Sequence, residues 1–310
     1  MSFTNTPTFL PGLELSRRFY TETVRPLLEE AAPDLPHSAA RIGGGSEVLG
    51  YDTPGSRDPE WGPRLQLFLR TSDLPRHAGR IRHHLAEHLP KTFHGHPTHH
   101  CVEVTHTTAW FTATLGFDPT HGTTVTNWLD TPTHLLTEVT AGAVFHDGLH
   151  QLGPLRHDLR WYPHEVWLHV LAREWQHIAE RETFVGRCGE VGDELGSAVA
   201  AAHVTRHLMR LCLLMDRRYP PYDKWLGTAF ARTTAGHRLT PVLTSALTAK
   251  DWQPRENHLT HAYEAVAAIH NQLNLTDGIT PTPHPLHAER FTTALLNRIT
   301  DPTLRRLPKR

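Results

Sequence analysis

The chain has 310 residues, 38% hydrophobic and 20% charged, enough for one large domain or two ordinary ones with a buried core. A net charge of −1 with histidine neutral excludes a global positive field that would recruit nucleic acid or an anionic membrane, leaving room only for a local basic patch. The three cysteines make no CxxC pair, the N-terminal stretch reads as no signal peptide, and no apolar run reaches a membrane span, so a reduced, cytoplasmic setting without a membrane partner is expected. The 26 histidines are spread along the whole chain and read as a compositional habit more than as one site.

In chain order, Leu13 to Ala32 reads as a helix with a loose apolar face of Leu13, Phe19, Val24, Leu27 and Leu28, ended by Pro33 and Pro36. His37 to Ile42 is a short candidate strand leading into three glycines. Leu65 to Leu69, "LQLFL", is a stronger strand, and Leu74 to Leu89 a helix. "HHCVEVTHTTAWF", 99 to 111, favours a strand that bends into a helix, because Val102, Val104 and Thr105 prefer the extended form. Leu135 to Val144 is helical or mixed, and "AGAVFHDGLHQLG" suggests a short strand with a turn after Asp147. From about residue 160 helical stripes dominate. Trp167, Leu171, Trp175 and Ile178 form one. Val204, Leu208, Leu211, Cys212 and Met215 form the next, and Leu259, Tyr263, Val266, His270 and Leu273 the last. "ITPTPHPLH" is a proline-rich linker before a helix near 288 to 299, and "RRLPKR" a loose basic tail. The pattern predicts an α/β N-terminal half joined to a C-terminal helical bundle near 150 to 160.

The segment "GGGSEVLGYDTPGSRDPEW", 43 to 61, carries the chemistry. A P-loop fails on Tyr51, where lysine must stand, and a dinucleotide fingerprint fails on Val48. What fits is a turn: Gly44, Gly45 and Ser46 follow an apolar strand, and their successive backbone N–H groups with the serine hydroxyl suit an anion such as phosphate. Asp58 and Glu60 flank Pro59 just ahead of "LQLFL". Residues i and i+2 of a strand share a face, so the two acids would project together and call for a cation between them. Mg²⁺ suits such hard oxygen ligands completed by triphosphate and water.

This stretch resembles the signature of the DNA polymerase β-like nucleotidyltransferase superfamily, a glycine-serine turn followed about a dozen residues later by Asp/Glu-x-Asp/Glu. "GSEVLGYDTPGSRDPEWGPR", "FVGRCGEVGDELGS" and "RRYPPYDKWLGTAF" look like one bacterial branch of it, over roughly Phe9 to Leu275. The resemblance implies an α+β fold: a nucleotidyltransferase domain of mixed sheet and helices over 1–155, then an all-α substrate-binding bundle over 156–310, with the acceptor taken between them. It implies transfer of a nucleoside monophosphate from an NTP, ATP expected, to a hydroxyl of an acceptor, a small molecule favoured over nucleic acid. Asp58 and Glu60 would ligate Mg²⁺. Glu103, the acid between valines in "CVEVTH", would be the third carboxylate or base, with Asp147 as runner-up. Gly44, Gly45 and Ser46 would hold the triphosphate, helped by Arg64 and Lys224. Relatives usually carry Asp at both acidic positions. Glu60 displaces its carboxylate by roughly 1.5 Å, and Pro59 cannot donate to a sheet. The alternative is therefore a catalytically silent nucleotidyltransferase-fold protein that binds or regulates.

Other features have plainer readings. Arg206, Arg210 and Arg217 form either a nucleotide-facing stripe or a salt-bridged one. Asp193 and Glu194 suit a helix start. "HGHPTHH" and "HEVWLH" meet no zinc spacing template.

Overall fold

The computed structural model describes residues 9–56, 61–280 and 287–307. The fold is mixed α+β, with strands confined to the first half of the chain and helices throughout. It divides into two compact units, Met1–Thr123 with His134–Arg160, and Thr124–Thr133 with Trp161–Arg310.

The first unit opens with helix α1 (Gly12–Phe19), a π turn (Tyr20–Val24) and α2 (Arg25–Ala31), followed by strands β1 (His37–Arg41) and β2 (Leu65–Leu69). Helix α3 (Leu74–His88), a hairpin of β3 (Thr92–Phe93) and β4 (His96–Pro97), β5 (Val102–Thr105) and α4 (Thr107–Leu115) come next. Helix α5 (Val125–Asp130) belongs to the second unit; α6 (Thr133–Thr140), β6 (Ala143–Asp147) and α7 (Leu152–Asp158) complete the first.

The main sheet has the order β5-β2-β1-β6. β1 is antiparallel to both β2 and β6, and β2 runs parallel to β5. Every residue of β1 and β2 is buried, because the two central strands are covered on both faces. On one face Leu65, Leu67 and Leu69, spaced two apart, join Phe19, Val24, Leu28, Ile81 and Leu85 in the core. The alternate residues Gln66 and Phe68 point the other way, and the Phe68 ring meets the edge of Trp110 at 6.0 Å between centroids. Register places Gln66 between Ala40 and Glu103, so Glu103 shares the Trp110 face of the sheet.

The second unit is all-helical. Helix α8 (His164–Ala179), α9 (Phe184–Glu190), α10 (Glu194–Met215), α11 (Asp223–Ala231), α12 (Thr234–Thr248), α13 (Trp252–Gln272), α14 (Glu289–Leu296) and α15 (Pro302–Arg306) follow in order. Trp167, Leu171, Trp175 and Ile178 of α8, with Val204, Leu208 and Leu211 of α10, are buried as the helical spacing predicts. Trp175 stacks on Phe291 at 4.2 Å and donates its indole N–H to His270 Nδ1 at 3.2 Å, so three buried rings join three helices.

One expectation changes. The terminal "RRLPKR" is a helix up to Arg306, because Asp301 caps the Thr303 and Leu304 amides at 2.7 and 3.0 Å, Pro302 opens the turn and Leu304 is buried. Residues 308–310, and most of the proline-rich linker at 281–286, lie outside the described residues. "HGHPTHH" contains the tip and second strand of the β3–β4 hairpin, with His94 and Gly95 at φ of 46° and 81° in the two-residue turn.

Candidate functional site

β1 ends at Arg41, and the chain then turns through Ile42 and the glycines. Gln66 anchors the exit, its Oε1 accepting from the Ile42 amide at 3.2 Å and its Nε2 donating to the Ile42 carbonyl at 3.1 Å. A strand partner is thereby mimicked by a side chain just where the strand stops. Gly43 N–H donates to the Glu138 carbonyl on α6 at 3.0 Å, which fixes the turn from the other side.

Beyond Gly43 the turn changes character. The amides of Gly44, Gly45, Ser46 and Glu47 have no hydrogen-bond partner among the described residues, and neither has the Ser46 hydroxyl. The Gly45 and Ser46 carbonyls accept from Leu49 and Tyr51 at 3.3 and 2.9 Å, so the segment forms a single helical turn with its donors unspent at the leading edge.

Glycine is required here for a reason the sequence did not suggest. Arg41 and Glu47 form a buried ion pair behind the turn, with Arg41 Nε donating to Glu47 Oε1 at 3.0 Å and Nη2 to the Gly44 carbonyl at 2.7 Å. Gly45 has φ of 144°, and a Cβ there would stand 2.6 Å from both Arg41 Nη2 and Glu47 Oε1. Gly142 plays the matching part opposite: φ is 72°, its amide donates to the Val48 carbonyl at 3.0 Å, and a Cβ would collide with the Arg41 carbonyl.

Two acids face Arg41 from different elements. Glu103 on β5 is exposed by surface area, yet its surroundings are dense enough that burial raises its carboxyl pKa, against the pull of the Trp110 indole and the Arg41 guanidinium. Glu138 on α6 is half-buried, and burial raises it likewise, with His134 and Arg41 pulling the other way. Its Oε2 lies 3.9 Å from where a Gly44 Cβ would stand, so the carboxylate sits over the turn. Sequence reading missed Glu138, Arg41 and Glu47. The one local signal for Glu138 is an acid beside Val139 and near Leu135 and Leu136 in an otherwise apolar helix.

The remaining candidates are dispersed. Asp58 and Glu60, with Pro59, lie outside the described residues, and β2 begins at Leu65. Arg64 is half-buried, donates its backbone N–H to Ser16 Oγ at 3.2 Å, and has no carboxylate partner among the described residues. Asp147 is a helix cap: it accepts from Ser38 Oγ at 2.7 Å and from the Gln151 and Gly153 amides at 3.2 and 3.0 Å. Desolvation opposes ionisation there, but these donors together hold its carboxyl below the usual range.

Lys224 lies in the second unit, on α11, exposed, with its ammonium 5.1 Å from the Trp225 ring. The arginine stripe is engaged: Arg206 pairs with Asp223 at 3.0 Å, Arg210 with the buried Glu174 at 2.8 Å, and Arg217 lies over Trp167 at 4.8 Å. Asp193 caps α10 through the Gly196 amide at 2.7 Å, and Glu194 binds Arg255 at 2.9 Å. In "HEVWLH", Glu165 accepts from the Thr300 and Asp301 amides at 2.9 and 2.7 Å, and so fastens the chain end to α8. No group of three or more His, Cys, Asp or Glu side chains is placed to hold a metal among the described residues. No described helix is long and apolar enough to cross a membrane.

Residues 128–226, about a third of the chain, match a domain of unknown function (DUF4037). That stretch carries Glu138 and Lys224, but neither the glycine turn nor Glu103. No curated protein and no solved structure matches the chain.

Proposed function

We propose that the chain is a magnesium-dependent nucleotidyltransferase whose first unit has the polymerase β-like fold, working in the cytoplasm. It would move a nucleoside monophosphate from an NTP, ATP first, to a hydroxyl of a small-molecule acceptor and release pyrophosphate. One observation carries the reading: the turn after β1 offers four consecutive amides and the Ser46 hydroxyl without partners among the described residues, on the unit that also presents Glu103. Consecutive free N–H groups at the start of a helical turn attract phosphate oxygens.

In this reading the Gly44, Gly45 and Ser46 amides and the serine hydroxyl grip the triphosphate, and Arg64 adds a positive charge. Asp58, Glu60 and Glu103 would hold Mg²⁺, which when bound supplies neutralisation of the phosphate charge. The donor set suits that ion, being carboxylate oxygen only. Glu103 would serve either as the third ligand or, unligated, as the base that accepts the proton of the attacking hydroxyl. Arg41 cannot serve as a phosphate ligand without leaving Glu47, so it acts as the strut under the turn.

The occupied Arg41 is also what favours the second reading, a silent member of the same fold that binds nucleotide without transfer. Calorimetry with Mg-ATP and with a non-hydrolysable analogue tests the shared cradle. Saturable binding that weakens in Ser46→Ala is expected, and absence of binding to any NTP with Mg²⁺ or Mn²⁺ overturns both readings.

A further inference from the structure

The second unit gathers its unspent apolar surface around the start of α10. Among the described residues the exposed large hydrophobic side chains are Val191 (81%), Leu195 (77%), Val199 (50%), Leu247 (45%) and Phe184 (45%). Single ones are ordinary on a protein surface, but four of these share one end of the unit. Leu195, Val199 and the exposed Ala202 follow at steps of four and three on α10, and Val191 stands in the turn that leads into it. Leu247 lies near the same end. Two residues beyond it the Ala249 carbonyl accepts from Arg255 Nη2 at 2.8 Å, while Arg255 Nη1 donates to Glu194 of α10 at 2.9 Å. Phe184 has the Arg187 guanidinium 5.9 Å from its ring centre.

Helix α10 is apolar on two sides here. Ser197, Ala200, Ala201 and Val204 fill the buried side, and no Asp, Glu, Lys or Arg stands between Glu194 and Arg206. A helix that is apolar all round is normally covered all round. Steps of four and three are the seam of a two-helix coiled coil, where one row of side chains meets the same row on a partner. Gly196 and Ala198 beside the row are too small to hold a second helix away.

Charge decides what the partner is. At the start of the row Glu190 and Asp193 are exposed and have no ion-pair partner among the described residues; Lys250 and Asp251, beyond Leu247, offset each other. At its end Arg206 and the neighbouring exposed Lys224 share one acid, Asp223, 3.0 Å from Arg206. The row therefore runs from net acid to net base. An antiparallel copy lays acid on base and opposes the helix dipoles, whereas a parallel copy lays like on like.

We propose that the chain forms a two-fold dimer through the Leu195–Val199–Ala202 face of α10, the two helices antiparallel and crossing at Val199. The row covers roughly 11 Å of helix at 1.5 Å per residue. That is short for the roughly 800 Å² per partner of a standard interface, so the dimer is reversible. The proposal does not depend on transfer chemistry in the first unit.

Sedimentation equilibrium of the intact protein, from sub-micromolar to high micromolar concentration, tests it. The mass is expected to rise from one chain to two. Leu195→Glu and Val199→Glu should each raise the dissociation constant at least about tenfold, since each would bury an unpaired carboxylate. Neither should lower the Tm of the dilute protein, because both side chains are exposed. Asp193→Asn keeps a good helix cap but loses the charge, and should weaken the dimer about two- to fivefold. In a Cys188→Ser background, Val199→Cys should give a disulfide-linked dimer with oxidised glutathione and Leu195→Cys should not, since only a residue on the axis meets itself. A one-chain mass at every concentration overturns the proposal. So does a dimer indifferent to Leu195→Glu, or Leu195→Cys linking as readily as Val199→Cys.

Discussion

Arg41 and Glu47 sit on opposite sides of a glycine turn and close on each other beneath it, with side chains only 8% and 2% exposed. The pair explains the shape of the turn: Arg41 also holds the Gly44 carbonyl, and Gly45 must lack a side chain to let the two charged groups meet. Removing one partner of a buried pair strands the other charge, which costs about 3–5 kcal/mol. Glu47→Ala is therefore expected to lower the stability of the first unit by that order in urea unfolding. Gly45→Ala should fall in the same direction, because its Cβ would displace the pair. A Glu47→Ala variant as stable as the parent would show that the pair does not brace the turn.

Glu103 and Asp147 were alternative third carboxylates; Asp147 is engaged by three donors, whereas Glu103 is exposed. Glu103→Gln removes an exposed base and should reduce transfer by about 100-fold or more with little change in Tm. Asp147→Ala should cost about 1–2 kcal/mol, because three donors and a helix start lose their acceptor. Its nucleotide affinity should match the parent. Thermal melts and calorimetry on the two variants distinguish them, and a reversed pattern would exchange their roles.

Glu182 supplies a pH dependence. Burial pushes its carboxyl up to about 7, the Ala288 amide pulling it down and Glu289 adding to the rise. Its Oε2 has no hydrogen-bond partner among the described residues. From the ordinary value of 4.5 up to about 7 the unfolded chain releases this proton while the folded protein keeps it. Stability from this group is therefore present at low pH, declines as pH rises through that window and is flat above it. His270, lowered to about 4 by burial, acts in the opposite sense, its contribution lost as pH falls. Subtracting Glu182→Gln from the parent isolates the glutamate: the variant should gain Tm at pH 8 and match the parent near pH 4.5. A difference that does not vary with pH would contradict the assignment.

Much of the fold was legible wherever one local pattern decides. The β-branched run at Val102 to Thr105 and the helix after it were readable because the period changes from 2 to 3.6 within a few residues. The same holds for "LQLFL" and the stripes of α8 and α10. The turn was legible in part: its glycines and serine announce a tight turn after the strand, but not the ion pair that Gly45 accommodates. Arg41 and Glu47 meet through positive-φ geometry at Gly43 and Gly45, which composition does not encode. Glu138 reaches the turn from α6 through long-range packing, and Thr124–Thr133 groups with the second unit for the same reason.

The central claim is nucleotidyl transfer, and it is tested most directly by following label from α-³²P-ATP in the presence of Mg²⁺ and a fractionated extract of candidate acceptors. The account predicts a labelled product that requires Mg²⁺, disappears in Asp58→Asn and Glu103→Gln, and accumulates with an equal amount of pyrophosphate. Label transfer that persists in Asp58→Asn, or nucleotide binding with no labelled product from any NTP under Mg²⁺ or Mn²⁺, would contradict it.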